Sequence, residues 1–467
     1  MFGSKYPLRT GNTRRMRNRI LIGLTLAAAS FATPASALAA PFEPGEVIVK
    51  YKGSSSPSAR VDAQQDAGAG RPEPIADRTR ELAILDGDSV SDTVAELEQD
   101  PSVAYAVPNY IAHASELIPN DRGFGPPGDW RNVQWNFLAE TGVNAPAAWE
   151  TAAALGAPGG RGATVAVLDT GVAYERYGRN RQAQDLRGTR FVPGYDFVSG
   201  DSHANDLNGH GTHVTGTIAQ TTNNGRGVTG LAYGASIMPV RVLDKYGGGD
   251  AAAIARAIRF AANRGADVIN MSLEFDSRVR ASYIPDVLGA IRYAHKRGVV
   301  VVAAAGNQAG TARCGTTCPV AYPAANETVI AVGGVTHRGC LAGYSNSGEQ
   351  LDLVAPGGGR DARPGDNPLD QQNCRPDQAG RFIYQETFAR PNLRRFGLQS
   401  GYEGTSMAAP HVSATAALLI GTGRLGPDAS PAEVERRIEE TVRDLGAEGA
   451  DARYGAGLVD AGAALAP

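Results

Sequence analysis

The chain has 467 residues, 42% hydrophobic and 20% charged, with a formal net charge of -3 at pH 7 and a pI near 6.2. A near-neutral balance with no block of like charges excludes a nucleic-acid or lipid-surface partner. The length exceeds one ordinary domain, so a second unit or a processed segment is expected.

The amino terminus reads as a targeting segment. Arg9, Arg14, Arg15, Arg17 and Arg19 precede a short apolar run at 20–29. Small residues follow, in Ala35-Ser36-Ala37 and Ala37-Leu38-Ala39. That pattern predicts a secretory signal peptide over 1–39, because the apolar run is too short to span a bilayer. Arg14-Arg15 raises a twin-arginine route, and Met16 offers an alternative start. No later segment is apolar enough to cross a membrane, so the mature protein is expected to be secreted, extracellular or periplasmic.

Residues 42–115 form a separate small unit. A strand is predicted at 44–51 from its alternation, a helix at 90–99 from Val94 and Leu97, and a strand at 103–110. Beyond it, over 120–467, strands and helices alternate. Residues 163–168 are a short apolar run ended by Asp169, as a buried parallel strand would be. Gly209 and Gly211 bracket His210 just before a helical stretch at 214–219. A helix is predicted at 250–264, with Ile254, Ile258 and Ala261 on its apolar face. A buried strand at 299–305 runs into Gly306-Asn307, and Ser406 opens an apolar helix at 407–420. This alternation predicts an α/β fold, a parallel sheet with helices on both faces, preceded by a small α+β domain.

Chemistry concentrates at the ends of these elements. Asp169, His210 and Ser406 supply a carboxylate, an imidazole and a hydroxyl. A serine hydroxyl is a poor nucleophile until a base takes its proton, and imidazole titrates near the right pH. The imidazole in turn needs a carboxylate to fix its tautomer. Singly, each has a plainer reading: a turn aspartate, a structural histidine, a serine helix cap. His210 and His213 lack the glutamate and third ligand of a zinc-hydrolase pattern. His203, His213, His295, His337 and His411 read as structural.

Taken together, Asp169-Thr170-Gly171, His210-Gly211-Thr212-His213 and Gly404-Thr405-Ser406-Met407-Ala408-Ala409-Pro410 resemble the motifs of subtilisin-like serine endopeptidases, in that family's Asp, His, Ser order. The resemblance extends to Val268-Ile269-Asn270-Met271-Ser272-Leu273, to Asp352-Leu353-Val354-Ala355-Pro356-Gly357 and to Tyr454-Gly455-Ala456-Gly457-Leu458-Val459-Asp460-Ala461, covering about residues 130–465. It implies that Asn307 and the Ser406 N–H stabilise the oxyanion. It implies that 42–115 is a propeptide that assists folding and inhibits the enzyme until self-cleavage between residues 111 and 120. Substrates would be proteins or peptides, bound by Ser272, Leu273, Glu274 and Ala321 with broad specificity. The enzyme would be a monomer without an organic cofactor, and the rival readings are a narrow maturation protease and a silent peptide-binding scaffold.

The resemblance also implies structural calcium, held by Asp185, Thr222, Asn224, Arg226 and Val228, with Gln134 a further candidate. Asp196, Asp201 and Asp206 read as a solvated acidic turn rather than a second, looser site. Glu274 departs from the family's glycine, so its carboxylate either selects basic or polar substrate residues or faces solvent. The 357–403 connection, long and rich in Gly, Pro, Arg and Asp, reads as a surface excursion. Cys314, Cys318, Cys340 and Cys374 allow three pairings. Closeness favours Cys314 with Cys318 and Cys340 with Cys374, with zinc as the rival.

Overall fold

The computed structural model describes residues 42–110 except 86, and 118–467 except 313, 316, 363–373, 376–377 and 390–392. The expected signal peptide and most of the expected cleavage stretch lie outside the described residues. The chain divides into two compact units, Met1–Ala114 and Ser115–Pro467.

In the first unit, β1 (Phe42–Tyr51), α1 (Pro57–Asp66), β2 (Ala69–Ala76), β3 (Thr79–Ile84), α2 (Val90–Gln99) and β4 (Val103–Tyr110) follow one another. The strands form one antiparallel sheet in the order β2-β3-β1-β4. Val47, Val49 and Tyr51 alternate inward along β1 and meet Leu97 of α2, which leaves one face of the sheet for solvent. Ser89 caps α2 by accepting the Asp92 N–H at 3.2 Å.

The second unit opens with α3 (Trp130–Val133), α4 (Ala145–Ala154) and β5 (Thr164–Asp169), then short strands β6 (Arg190–Phe191) and β7 (Tyr195–Asp196). Next come α5 (His210–Ala219), β8 (Ser236–Arg241), α6 (Ala251–Asn263), β9 (Val268–Met271), α7 (Pro285–Lys296), β10 (Val300–Ala304), β11 (Ile330–Val335) and β12 (Leu353–Pro356). A hairpin of β13 (Glu386–Phe388) and β14 (Phe396–Leu398) precedes α8 (Thr405–Thr422), α9 (Pro431–Glu440) and α10 (Ala461–Leu465). The main sheet is parallel, in the order β12-β11-β10-β9-β5-β8-β6, with β7 beside β8.

Alternate residues of each central strand feed two cores. Val165 and Val167 of β5 face one with α8, whereas Ala166 and Leu168 face the other with α6 and α7. A sheet covered on both faces explains why its strands read as continuous apolar runs. Asp250 caps α6 through the Ala253 N–H at 2.8 Å. Helix α8 is buried almost all round; Pro410, its sixth residue, withholds the N–H that the Ser406 carbonyl would accept, and that carbonyl takes the Ser272 hydroxyl at 2.8 Å instead.

Two expectations are corrected here. Asp196 is buried and paired with Arg241 at 2.8 Å, and Asp206 is buried inside the loop before α5, so this is no solvated acidic turn. The described part of 357–403 is also no loose excursion. The Ile383 carbonyl lies 3.0 Å from His213 Nε2, and Thr387 Oγ1 donates to the Gly209 carbonyl at 2.6 Å. Buried backbone must find partners, and here α5 and its entry loop supply them. The disulfides are Cys314–Cys318 and Cys340–Cys374, with Cα separations of 5.2 and 5.7 Å.

Candidate active site

Asp169 ends β5 at its carboxyl edge, where open α/β sheets hold their ligands. Its side chain is wholly buried, and Oδ1 meets His210 Nδ1 at 2.7 Å and the Thr170 N–H at 2.7 Å. The carboxylate can only accept, so Nδ1 carries the proton and Nε2 is left basic toward the cleft. His210 is the first residue of α5 and keeps 25% of its side chain exposed.

The loop entering α5 is held by Asp206, a residue the sequence analysis did not place in the site. Its Oδ1 accepts the Asn208 and Gly209 N–H groups at 2.8 and 2.9 Å and the Thr170 hydroxyl at 3.0 Å. Its Oδ2 accepts the Thr212 N–H at 3.0 Å and the Thr212 hydroxyl at 2.6 Å. Asp206 therefore ties the strand end that carries Asp169 to the helix that carries His210. Its position four residues before His210 is the only trace of this role in the sequence.

Ser406 sits in the first turn of α8, where backbone N–H groups lack intrahelical partners. Its hydroxyl donates to the Ser272 carbonyl at 3.2 Å. The Ser272 hydroxyl donates back to the Ser406 carbonyl at 2.8 Å and accepts Asn270 Nδ2 at 3.0 Å. Asn307 follows β10, and its Oδ1 accepts the Thr405 N–H at 2.8 Å and the Thr405 hydroxyl at 3.1 Å. With the carbonyl side of that amide engaged, Nδ2 is the donor left for a ligand. Thr405 is thus a second residue missed from sequence, although it stands inside the Gly-Thr-Ser motif.

His210, Ser406 and Asn307 line one cleft of about 450 Å³, together with Thr170, Leu243, Ile254 and residues 247–249 and 272–275. Of the expected substrate-binding residues, Ser272, Leu273 and Glu274 line it. Ser272 offers mainly its backbone, because its hydroxyl is used on α8. Glu274 does not face solvent: its Oε2 accepts the Asn307 N–H at 2.7 Å, and burial raises its pKa. Ala321 does not line the cleft. It is buried, and its N–H donates to the Ala305 carbonyl at 2.8 Å. His213 and His411 are fully buried, and burial lowers them to about 3 and about 4, so both are neutral structural groups.

The loop after α5 brings Asp185 and Asn224 together. Asp185 Oδ1 accepts Asn224 Nδ2 at 2.7 Å, and Oδ2 accepts Gln220 Nε2 at 2.5 Å and the Val228 N–H at 3.2 Å. The Arg226 N–H donates to Asn224 Oδ1 at 2.8 Å, and Thr222 Oγ1 donates to the Gln220 carbonyl at 3.0 Å. Gln134 is not brought in, since both ends of its amide bond Thr229. Burial raises Asp185 to about 7, with Glu386 and Asp121 adding negative field. A side chain at Gly227 would collide with Asp185 Oδ2, so the loop is cut to fit around that carboxylate. The bonds to Asp185 all come from neutral N–H groups, so its buried charge lacks a cationic partner, and a hard cation is the kind of ion that would neutralise it.

Comparison with known proteins identifies the family. The subtilase family model matches residues 160–457, and the fervidolysin N-terminal prodomain model matches residues 30–109. A thermophilic serine proteinase of Bacillus sp. strain AK1 is 34% identical over 417 residues, 88% of this chain and 85% of that protein. An extracellular protease of Xanthomonas campestris pv. campestris is 32% identical, covering 98% of this chain and 79% of its own. Thermitase of Thermoactinomyces vulgaris is 35% identical over 66% of this chain and 88% of its own. A solved protease structure from Pseudoalteromonas arctica superposes with a TM-score of 0.58 at 32% identity, over 74% of this chain and 98% of that one. The chain belongs to the subtilase family of subtilisin-like serine endopeptidases.

Proposed function

We propose that the protein is a secreted, self-processing endopeptidase of broad specificity that cleaves through Asp169, His210 and Ser406. The observation that carries this reading is the 2.7 Å bond from His210 to buried Asp169, beside a cleft that His210 shares with Ser406 and Asn307. A peptide lies along residues 272–274. Ser406 Oγ attacks its carbonyl carbon while His210 Nε2 takes the hydroxyl proton. The oxyanion is met by Asn307 Nδ2 and the Ser406 N–H. His210 then protonates the leaving amine, and water hydrolyses the acyl-enzyme by the same route. No step calls for an organic cofactor.

Residues 42–115 act as the prodomain, an intramolecular inhibitor cut from the 120–467 catalytic domain between residues 111 and 120. Secretion after removal of a 1–39 signal peptide is supported by the two disulfides, which persist in oxidising compartments. Calcium is held by Asp185 and Asn224 with carbonyls of Thr222, Arg226 and Val228, and its role is to neutralise the buried carboxylate and fix the loop. The mature enzyme acts as a monomer.

The test is expression of wild type beside Ser406→Ala, following intact mass and casein hydrolysis. Loss of the prodomain and casein cleavage in wild type alone are expected. Normal processing of Ser406→Ala, or activity in it, would overturn the assignment.

A further inference from the structure

An oxyanion donor works only if it waits in place before the charge develops. Asn307 rides on a tight turn whose first residue, Gly306, has φ of +112°, in the left-handed region that favours glycine. Side chains from three other segments hold the successive N–H groups of that turn. Gly306 donates to Thr405 Oγ1 at 3.2 Å, while Gln308 and Ala309 donate to Asn346 Oδ1 at 2.9 and 3.1 Å. The remaining N–H, that of Asn307 itself, donates to Glu274 Oε2 at 2.7 Å. Glu274 is the charged acceptor of the set, and it comes from the strand extension that lines the cleft. The carboxylate lies against the turn: a Cβ on Gly306 would sit 2.5 Å from the same oxygen. The neighbouring acid, Asp276, is instead bonded to Arg278 at 2.7 and 3.0 Å.

We propose that Glu274 is a positioning residue of the oxyanion corner, fixing the Asn307 donor through the backbone N–H of the same residue. This rests on the endopeptidase reading and on Asn307 as the oxyanion donor. A charge-assisted hydrogen bond is stronger than a neutral one, and the half-buried N–H has no equivalent acceptor once the carboxylate is removed. The backbone of Asn307 then relaxes, and the amide no longer waits where the oxyanion forms. The strand that binds the peptide is thereby joined, through one side chain, to the group that stabilises its transition state.

The experiment is a double-mutant cycle of Glu274 and Asn307 in the full chain, with processed enzyme quantified by active-site titration and folding checked by thermal unfolding. Glu274→Ala is expected to lower kcat about tenfold with KM nearly unchanged. Affinity for a peptide boronate, which mimics the tetrahedral intermediate, should fall by a similar factor, and affinity for a non-reactive product peptide should hold. Glu274→Gln keeps an acceptor oxygen and should recover most of the turnover. In the Asn307→Ala background, Glu274→Ala should cost less than about twofold. Multiplicative losses in the double variant, or wild-type turnover of Glu274→Ala, would overturn the proposal. Wild-type turnover of Asn307→Ala would instead overturn the oxyanion reading beneath it.

Discussion

Asn307 offers the sharpest test of the site, because its amide orientation is fixed by two bonds from Thr405 at 2.8 and 3.1 Å. Asn307→Ala removes the donor and should slow turnover by about 10²–10³, a range known from the corresponding residue of subtilisin itself. Asn307→Asp is the more telling change. Its carboxylate keeps the acceptor for Thr405 but replaces the donor with an oxygen. A negative charge then stands about 3–4 Å from the developing oxyanion, and at an effective dielectric of ~20 the repulsion is about 4–5 kcal/mol. Added to the lost donor, this predicts a total loss of roughly 10⁵-fold or more near pH 8. The assay is the rate of prodomain loss by intact mass in purified zymogen, a single turnover that reads even very slow variants. Asn307→Asp processing as fast as Asn307→Ala would show that the side chain does not face the oxyanion, and the reasoning would fail.

Calcium should raise the unfolding temperature of wild type and a chelator should lower it, by about 2.7 kcal/mol of stability at a hundredfold excess over Kd; Asp185→Ala should abolish the difference, and an unaffected wild type would remove the calcium reading. Carboxylate oxygens of Asp352, Glu435 and Glu439 lie within 4.8 Å of one another, and burial, then its acidic neighbours, raises Glu435 from 4.5 to about 7. An acid whose folded pKa is raised holds an extra proton in the native state, so stability falls as pH rises from about 4.5 through 7. Glu435→Gln should therefore stabilise by about 1–2 kcal/mol at pH 8, after allowing for partial exposure, and by little at pH 4; equal gains at both would exclude titration as the cause. Asp196→Ala should cost about 3–5 kcal/mol in denaturant unfolding, since it leaves Arg241 buried without its carboxylate and the Val198 and Ser199 N–H groups without their acceptor; a loss below about 1 kcal/mol would refute this.

The sequence by itself determined the chemistry of the catalytic groups and the kind of element that carries each one. Asp169 after an apolar run, His210 between glycines and Ser406 before an apolar helix are local patterns, and local patterns survive in one dimension. The parallel sheet was legible for the same reason: strands buried on both faces are continuously apolar, as 163–168 and 299–305 are. The limits of α6 were legible to within a residue, Ala251–Asn263 where 250–264 was expected, since Asp250 stands outside as its cap, whereas α5 and α8 begin four and two residues before the apolar stretches 214–219 and 407–420.

What tertiary structure decided was the partner of each polar group. Asp206 and Asp196 look like surface acids in sequence, yet folding surrounds one with five donors and sets the other against Arg241. Glu274 read as a specificity group or a solvated one, and its bond to Asn307 crosses between strands 33 positions apart. Ala321, expected at the pocket, is buried with its N–H on the Ala305 carbonyl. Side-chain periodicity reports which face of an element is buried, whereas a hydrogen bond depends on which distant backbone arrives opposite. That arrival is set by how the sheet, its helices and the β13–β14 strands pack, and no stretch of neighbouring residues records it.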